Sequence, residues 1–426
     1  MRLGGRALLV VLAVMATACR SSADPRPLTG QLEVMGVWSG IEQERFQLVL
    51  DEFERQSGVR VVYTSAGHGG VAGALATSRA EGRLPDVAFL PQPGLLKAYA
   101  SDGALVALGN DAVEAVRRNY GSEWQRLSSF DGRLFGVPFK AANKSLIWYD
   151  VAAFEQAGVV PPATLAGLAR VSDVLATQAR PAFAVGGRDG WTLTDWFENL
   201  YLRVAGTERY DLLADHRIPW TDESVTTTLR LLLDHLHPDR LSGGVDTVLA
   251  TSFDESVRHA FSGPGSAAML FEGDFVAAVL AQRGDAEVGV DVDVFPFPAF
   301  RGVQREVVGG GDIAVLLRPS PQGDAFMRFL ATPEAATPWA RAGGFISPNL
   351  NLDLSIYRSP VTRRLARAVL DAGDLFRFDL SDLTPASFGG TEGKGMRRIL
   401  QDLLVIRDVV VAAQALEAEA RAAYGP

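Results

Sequence analysis

Residues 137–150, VPFKAANKSLIWYD, constrain this chain more than any other stretch. An apolar strand pattern, GRLFGVPF, runs into it, and a second, SLIWYD, runs out of it. Between them, residues 140–145 form a polar patch of two lysines, an asparagine and a serine. A hydrogen-bonding interruption inside an apolar strand fits a crossover between two bodies, with a cleft at the crossover. The length of 426 residues agrees, because one simple core rarely grows so large.

The order of elements points to α/β bodies. Residues 32–38, LEVMGVW, read as a strand broken by Ser39-Gly40. Phe46, Val49, Leu50 and Phe53 then recur at helical spacing over residues 42–56, and Gly58 stops the helix. Strands follow at 59–63 and 87–90, with helices at 74–82 and 94–100. Such alternation implies βαβ units and a parallel sheet covered on both faces. Ligands then bind beyond the C-terminal strand ends, here residues 38–40, 64–68 and 91–92. The second body begins at Ser145, with helices at 151–157, 195–206 and 224–235 and strands at 182–185 and 267–271. Residues 290–297, VDVDVFPF, read as a second passage between bodies. Residues 307–317 carry three glycines and Asp312 before IAVLL, and a helix at 325–331 reads as the passage back. The remainder, to Tyr424, reads as helical with one polar loop at 382–395.

The N-terminus reads as an export signal. Arg2 and Arg6 precede the apolar run ALLVVLAVM, which is too short to span a membrane as a mature helix. Ala16-Thr17-Ala18 is a small-residue cleavage site, and Cys19 follows it as in a bacterial lipobox. Ala16 stands where the lipobox has leucine, so an ordinary signal peptide with an incidental cysteine is the alternative. The expected layout is a signal peptide over 1–18 and a lipid-anchored tether over 19–30, SSADPRPLTG being polar with two prolines. Cys19 is the single cysteine, which excludes a disulfide framework and a cysteine-based zinc site. The formal charge is −9 and no Lys/Arg cluster stands out, so no nucleic-acid partner is expected.

Catalytic motifs come close and fail. Gly67-His68-Gly69 through Ala72 has the GxGxxA spacing, but no acid ends the next strand, so a glycine-rich turn at a cleft fits better. GGTEGK at 389–394 has one residue too few for a P-loop, and Gly395 replaces the Ser/Thr that would hold magnesium. The five histidines form no ligand set, and neither HExxH nor GxSxG occurs. Neither a metal nor a cofactor is expected. What remains is a set of polar and aromatic residues in loops. Sugars present hydroxyls at their edges and apolar C–H faces, so a sugar site pairs polar side chains with aromatic rings. The candidates are Gln92, Lys140, Asn143, Lys144, Trp191, Asp195, Glu272, Asp274, Asp312, Phe345 and Phe388. Each has a structural alternative: Asp195 as a helix cap, Trp191 and Phe388 as core, Asp312 as a turn residue, the lysines as solvated surface.

The ordered set WSG, PDVAFLPQPGLL, KSLIWYD, GWTLTDW, GGGDIAVLL, LATPEAATPWARAGGFISPN and FRFDLSDL resembles the family 1 extracellular solute-binding proteins of ABC sugar importers. The α-glucoside-binding branch is the nearest, and the likeness runs from about residue 32 to 406. The resemblance implies a type II periplasmic-binding-protein fold: two α/β lobes, a hinge of three crossings and an interlobe cleft. It implies a monomer that closes on an α-glucoside or other oligosaccharide and delivers it, unchanged, to an ABC permease. Carried over by position, Ser39, His68 and Gln92 fall on the first lobe's cleft edge, residues 140–145 on the hinge, and Trp191, Asp195, Asp274 and Phe388 on the second lobe's edge. TEGKGM stands where an aromatic-containing stretch is expected, which leaves the identity of the sugar open. The lobes are expected to divide as 31–139 plus 297–330 and 140–296 plus 331–426. An exported carbohydrate hydrolase, and a binding protein for a peptide or polyol, are the alternatives.

Overall fold

The computed structural model describes residues 28–66, 70–263, 266–284, 286–302 and 305–425. The leader, Cys19 and most of the tether lie outside the described residues, as do His68 and its flanking glycines.

The strands are β1 (Gln31–Gly36), β2 (Arg60–Ser65), β3 (Val87–Leu90), a small hairpin of β4 (Ser129–Phe130) and β5 (Arg133–Leu134), and β6 (Gly136–Asn143). They continue as β7 (Leu146–Asp150), β8 (Phe183–Ala184), β9 (Met269–Phe271), β10 (Val292–Pro296), β11 (Val307–Leu316) and β12 (Phe376–Phe378). One sheet has the order β12-β11-β3-β1-β2 with β6 paired to β11, and a second has the order β10-β7-β9-β8. In the first sheet β1 is parallel to both β2 and β3, as the βαβ pattern requires. The intervening helix Gly40–Ser57 buries Phe46, Val49, Leu50 and Phe53 and ends at Gly58 in the left-handed region, whose N–H reaches the Glu54 carbonyl. This is the stripe and stop expected from the spacing.

The two-lobed α/β architecture with three crossings is what the chain adopts. The first crossing joins β6 of the first sheet to β7 of the second, through Lys144 and Ser145. The second joins β10 to β11, and the third leaves β12 at Asp379 for the short helix Leu380–Leu383. Three consecutive glycines let β11 lie close to its neighbours. A side chain at Gly309 would meet the Ala142 carbonyl at 2.4 Å and the Phe376 ring at 2.5 Å, and one at Gly311 would meet the Lys140 carbonyl at 2.3 Å.

The division of the chain differs from the expected one. Residues 140–143 still pair within the first sheet. The helix Pro333–Ala342, assigned by sequence to the second lobe, packs on the first: Trp339 meets Trp38 edge-on at 4.8 Å and Phe46 at 5.8 Å. Residues 376–378, read as part of a helical stretch, form a strand beside β11, so the last crossing lies near 379 rather than 330. An amphipathic helix shows that it has an apolar face, but not which core receives it. The second core gathers Trp196, Phe271 and Phe297, with Phe197, Tyr201, Trp220 and Phe388 beside them.

Candidate functional site

The polar patch of the first crossing sits where both sheets end. Lys140 stands opposite Asp312 across β6 and β11, next to a shift in ladder register at Asp312/Ile313. Its ammonium pairs with Glu42, in the first turn of the helix Gly40–Ser57, and lies 5.4 Å from the centre of the Trp339 ring. Burial works against the charge, but Glu42 and Asp312 outweigh it and raise the Lys140 pKa. Burial pushes the Asp312 carboxyl up to about 6 despite Lys140. Asp274 is likewise pushed by burial to about 6, while its Oδ1 accepts the Asn143 N–H at 2.7 Å. Its own N–H donates to the Asn143 carbonyl at 3.0 Å, so the two residues clamp each other across the sheets. The Asn143 Oδ1 accepts the Ser145 N–H at 3.0 Å.

Four residues on, the Lys144 ammonium is bonded to Asp379 and stands 3.3 Å from Asp195. Desolvation opposes this charge too, yet Asp195 and Asp379 hold its pKa well above the usual lysine value. Glu198 is one turn from Asp195 on the long helix Trp191–Ala214, and Glu272 directly follows β9. Burial and the Asp195 charge push Glu198 to about 8 and Glu272 well above the carboxylate range. Asp379 is also held well above its usual value by burial, against Lys144. Asp379 Oδ1 is buried without a hydrogen-bond partner, whereas Asp195 Oδ2 faces the Lys144 ammonium at 3.3 Å and Glu272 lies within hydrogen-bond reach of Asp195. Asp195, Glu198 and Asp379 are close enough to share a cation, and the Lys144 ammonium already stands against two of them.

Trp191 opens the long helix. Gly190 before it has φ 77°, and a side chain there would meet Arg397 Cβ at 2.6 Å. The Trp191 ring is half-buried, 5.4 Å from Phe253, 6.0 Å from Phe275 and 5.5 Å from the Lys144 ammonium. Asp195 therefore lies in the second turn of a helix that starts four residues earlier than expected, and it does not cap it. Gln92 precedes the helix Pro93–Ser101 and donates to Asp382 Oδ1 at 2.9 Å, linking the first lobe's edge to the third crossing. Ser39 is exposed before the helix Gly40–Ser57, and its side chain makes no capping bond.

Lys140, Asn143, Lys144, Trp191, Asp195, Glu272, Asp274 and Asp312 are thus gathered around the first crossing. Phe345 and Phe388 are not. Phe345 is 1% exposed and stacks on Trp339 at 5.0 Å; Phe388 is 0% exposed and meets Trp220 edge-on at 5.0 Å. Both are core rings: Phe345 packs into the first core, and the loop at 382–395 folds Phe388 back into the second. A cavity of about 500 Å³ at the hinge is lined by Asn143, Ser145, Phe295, Val307 and Leu365, but by neither Gln92 nor Trp191. Sequence reasoning missed Glu42, Glu198, Phe253, Phe275 and Asp379. The signal for Glu198 was its place three residues after Asp195 on a helix, which puts both on one face. Asp379 lay within FRFDLSDL, but nothing local pairs it with Lys144.

Residues 39–337 match the model of the bacterial extracellular solute-binding protein family. The osmoprotective compounds-binding protein GgtB of Synechocystis sp. is 30% identical over 400 residues, 91% of this chain and 93% of that protein. The alpha-glucosides-binding periplasmic protein AglE of Rhizobium meliloti is 32% identical over 378 residues, 85% of this chain and 81% of that protein. The solved structure of the bacterial solute receptor AcbH superposes with a TM-score of 0.77 at 16% identity, covering 93% of this chain and 100% of that one. That last likeness concerns the fold, which is the type II two-lobed one. A family match over more than half the chain, two relatives of nearly full length, and two sheets joined by three crossings agree: the chain belongs to the bacterial extracellular solute-binding proteins.

Proposed function

We propose that this chain is the substrate-binding component of a carbohydrate ABC importer. It captures an α-glucoside or a related oligosaccharide between its lobes and passes it, chemically unchanged, to a membrane permease. The observation that carries this reading is the wall at the first crossing, where half-buried Trp191 stands beside charged groups held in fixed pairs. Such a wall offers an apolar face for a sugar ring and oriented partners for its hydroxyls. The name of AglE, an α-glucoside binder, agrees with it. A bridging ligand stabilises the closed arrangement only through contacts that the open one lacks. The carboxylates do not resemble a hydrolytic pair. Asp195 and Asp379 are tied to Lys144, and both oxygens of Glu198 accept backbone N–H groups of Leu380 and Ser381 at 2.9 Å.

GgtB, named for osmoprotective compounds, supports a second reading in which the ligand is a polyol. Calorimetry against a panel of maltose, trehalose, longer α-glucosides, polyols and peptides separates the two. Saturable binding of α-glucosides with no glucose released from maltose is the expected result, and turnover would refute it. The chain acts as a monomer in this reading, and Cys19 carries the lipid that tethers it outside the cell. Incorporation of labelled fatty acid, lost in Cys19→Ser, tests the tether. Among the described residues no helix is long and apolar enough to cross a membrane.

A further inference from the structure

The long helix Trp191–Ala214 buries a polar stripe. Asp195, Glu198 and Asn199 are at most 1% exposed, and with Arg203 they occupy one helical face. Together they hold all three crossings. At the first crossing, Asn199 Nδ2 donates to the Lys144 carbonyl at 3.0 Å, and Asn199 Oδ1 accepts the Ser145 hydroxyl at 2.6 Å. That hydroxyl in turn accepts the Val308 N–H at 2.8 Å, which ties in the start of β11 after the second crossing. Arg203 Nη2 donates to the Glu306 carbonyl at 3.3 Å in the same segment. At the third crossing, Glu198 Oε2 and Oε1 accept the N–H groups of Leu380 and Ser381, each at 2.9 Å. Tyr210, beyond a break in the helix at Gly206, donates to the Phe378 carbonyl at 3.0 Å.

A polar stripe buried at this depth costs desolvation unless every group is paired. Besides carbonyls of the helix itself, the partners here are backbone groups of the segments that join the lobes, with the Ser145 hydroxyl and the Lys144 ammonium. The first turns of the same helix carry Trp191 and Asp195 to the ligand wall. One rod therefore has ligand groups at its tip and hinge groups along its side.

We propose that Glu198 and Asn199 are positioning residues that set the resting angle between the lobes. Through them, ligand contact at Trp191 and Asp195 is converted into lobe closure. The second half of this statement rests on the transport reading above; the first does not, and the test treats them separately.

The test uses the full chain with spin labels on cysteines placed at exposed Leu48 and Val174, one in each lobe, in a Cys19→Ser background. Pulsed electron resonance reads the interlobe distance distribution without ligand and with the tightest binder from the calorimetric panel. Glu198→Gln presents an amide N–H₂ to a backbone N–H and loses a bond at the third crossing. Asn199→Asp keeps the acceptor for Ser145 and loses the donor to Lys144. Each is expected to shift or broaden the ligand-free distribution and to weaken binding at least tenfold, while saturating ligand still gives the wild-type closed distance. Folding is checked by melting curves. If Glu198→Gln does not fold, Asn199→Asp alone decides. Variants whose ligand-free distributions match the wild type overturn the proposal, even if their affinity falls. A wild-type chain that binds no panel member refutes the transport reading instead, and the ligand-free comparison still decides the positioning role.

Discussion

Lys140 and Lys144 stand four residues apart on the two banks of one crossing, and they occupy different electrostatic surroundings. Lys140 pairs with Glu42, whose side chain is 38% exposed. Lys144 pairs with Asp195 and Asp379, 2% and 1% exposed. Both ammoniums lie beside a tryptophan, Trp339 for one and Trp191 for the other. Trp339 is core, whereas Trp191 keeps part of its ring free. The difference teaches which bank is rigid. An exposed partner can rehydrate when its lysine is lost, but buried carboxylates cannot. The second bank is therefore the fixed template of the site and the first is the adaptable one.

The strongest way to break this comparison is Lys144→Met. It strands Asp195 and Asp379 in the interior, and the expected loss is ~3–5 kcal/mol of stability, read by chemical denaturation. A loss below ~1 kcal/mol would show that the second bank is no more rigid than the first. Next, Trp191→Ala is expected to weaken sugar binding on the order of tenfold in calorimetry with little change in melting temperature, since the ring is only half-buried. Phe388→Leu, in the core, should do the reverse.

A pH titration probes the carboxyls that act on Lys140. Asp274 and Asp312 are raised from 3.8 to about 6 in the folded chain. Between these values the folded state binds more protons than the unfolded one, so stability falls as pH rises from about 4 through about 6. The slope is at most ~1.4 kcal/mol per pH unit for each group. Asp312→Asn should flatten that part of the profile, and an unchanged slope would rule out its burial as the cause. The smallest expected effect is that of Lys140→Met, within about 1 kcal/mol, because Glu42 regains water and Asp312 takes up a proton. A loss as large as that of Lys144→Met would erase the contrast.

Local pattern made much of the fold legible. The stripe Phe46, Val49, Leu50, Phe53 and the stop at Gly58 are readable because helix periodicity and a left-handed cap are properties of neighbouring residues. Polarity inside a strand at residues 140–145 marks the first crossover, although the chain leaves the first sheet only at Lys144. The strand 376–378 was not, since three residues carry too little period to outweigh the helices around them. For the site, residue type announced Lys144, Trp191 and Asp195, but burial decided that Phe345 and Phe388 are core rings.

The sequence alone determined that two α/β bodies alternate along the chain, that a polar seam divides them, and which ordered motifs ally it with solute-binding proteins. Those properties are local or additive, so they survive without coordinates. Tertiary structure alone decided that Asp379 meets Lys144 across 235 positions of sequence, and that Glu198 reaches the crossing at Leu380 across 182. Electrostatic pairing and desolvation depend on distance through space, and no spacing along a chain encodes which buried charge will find which partner.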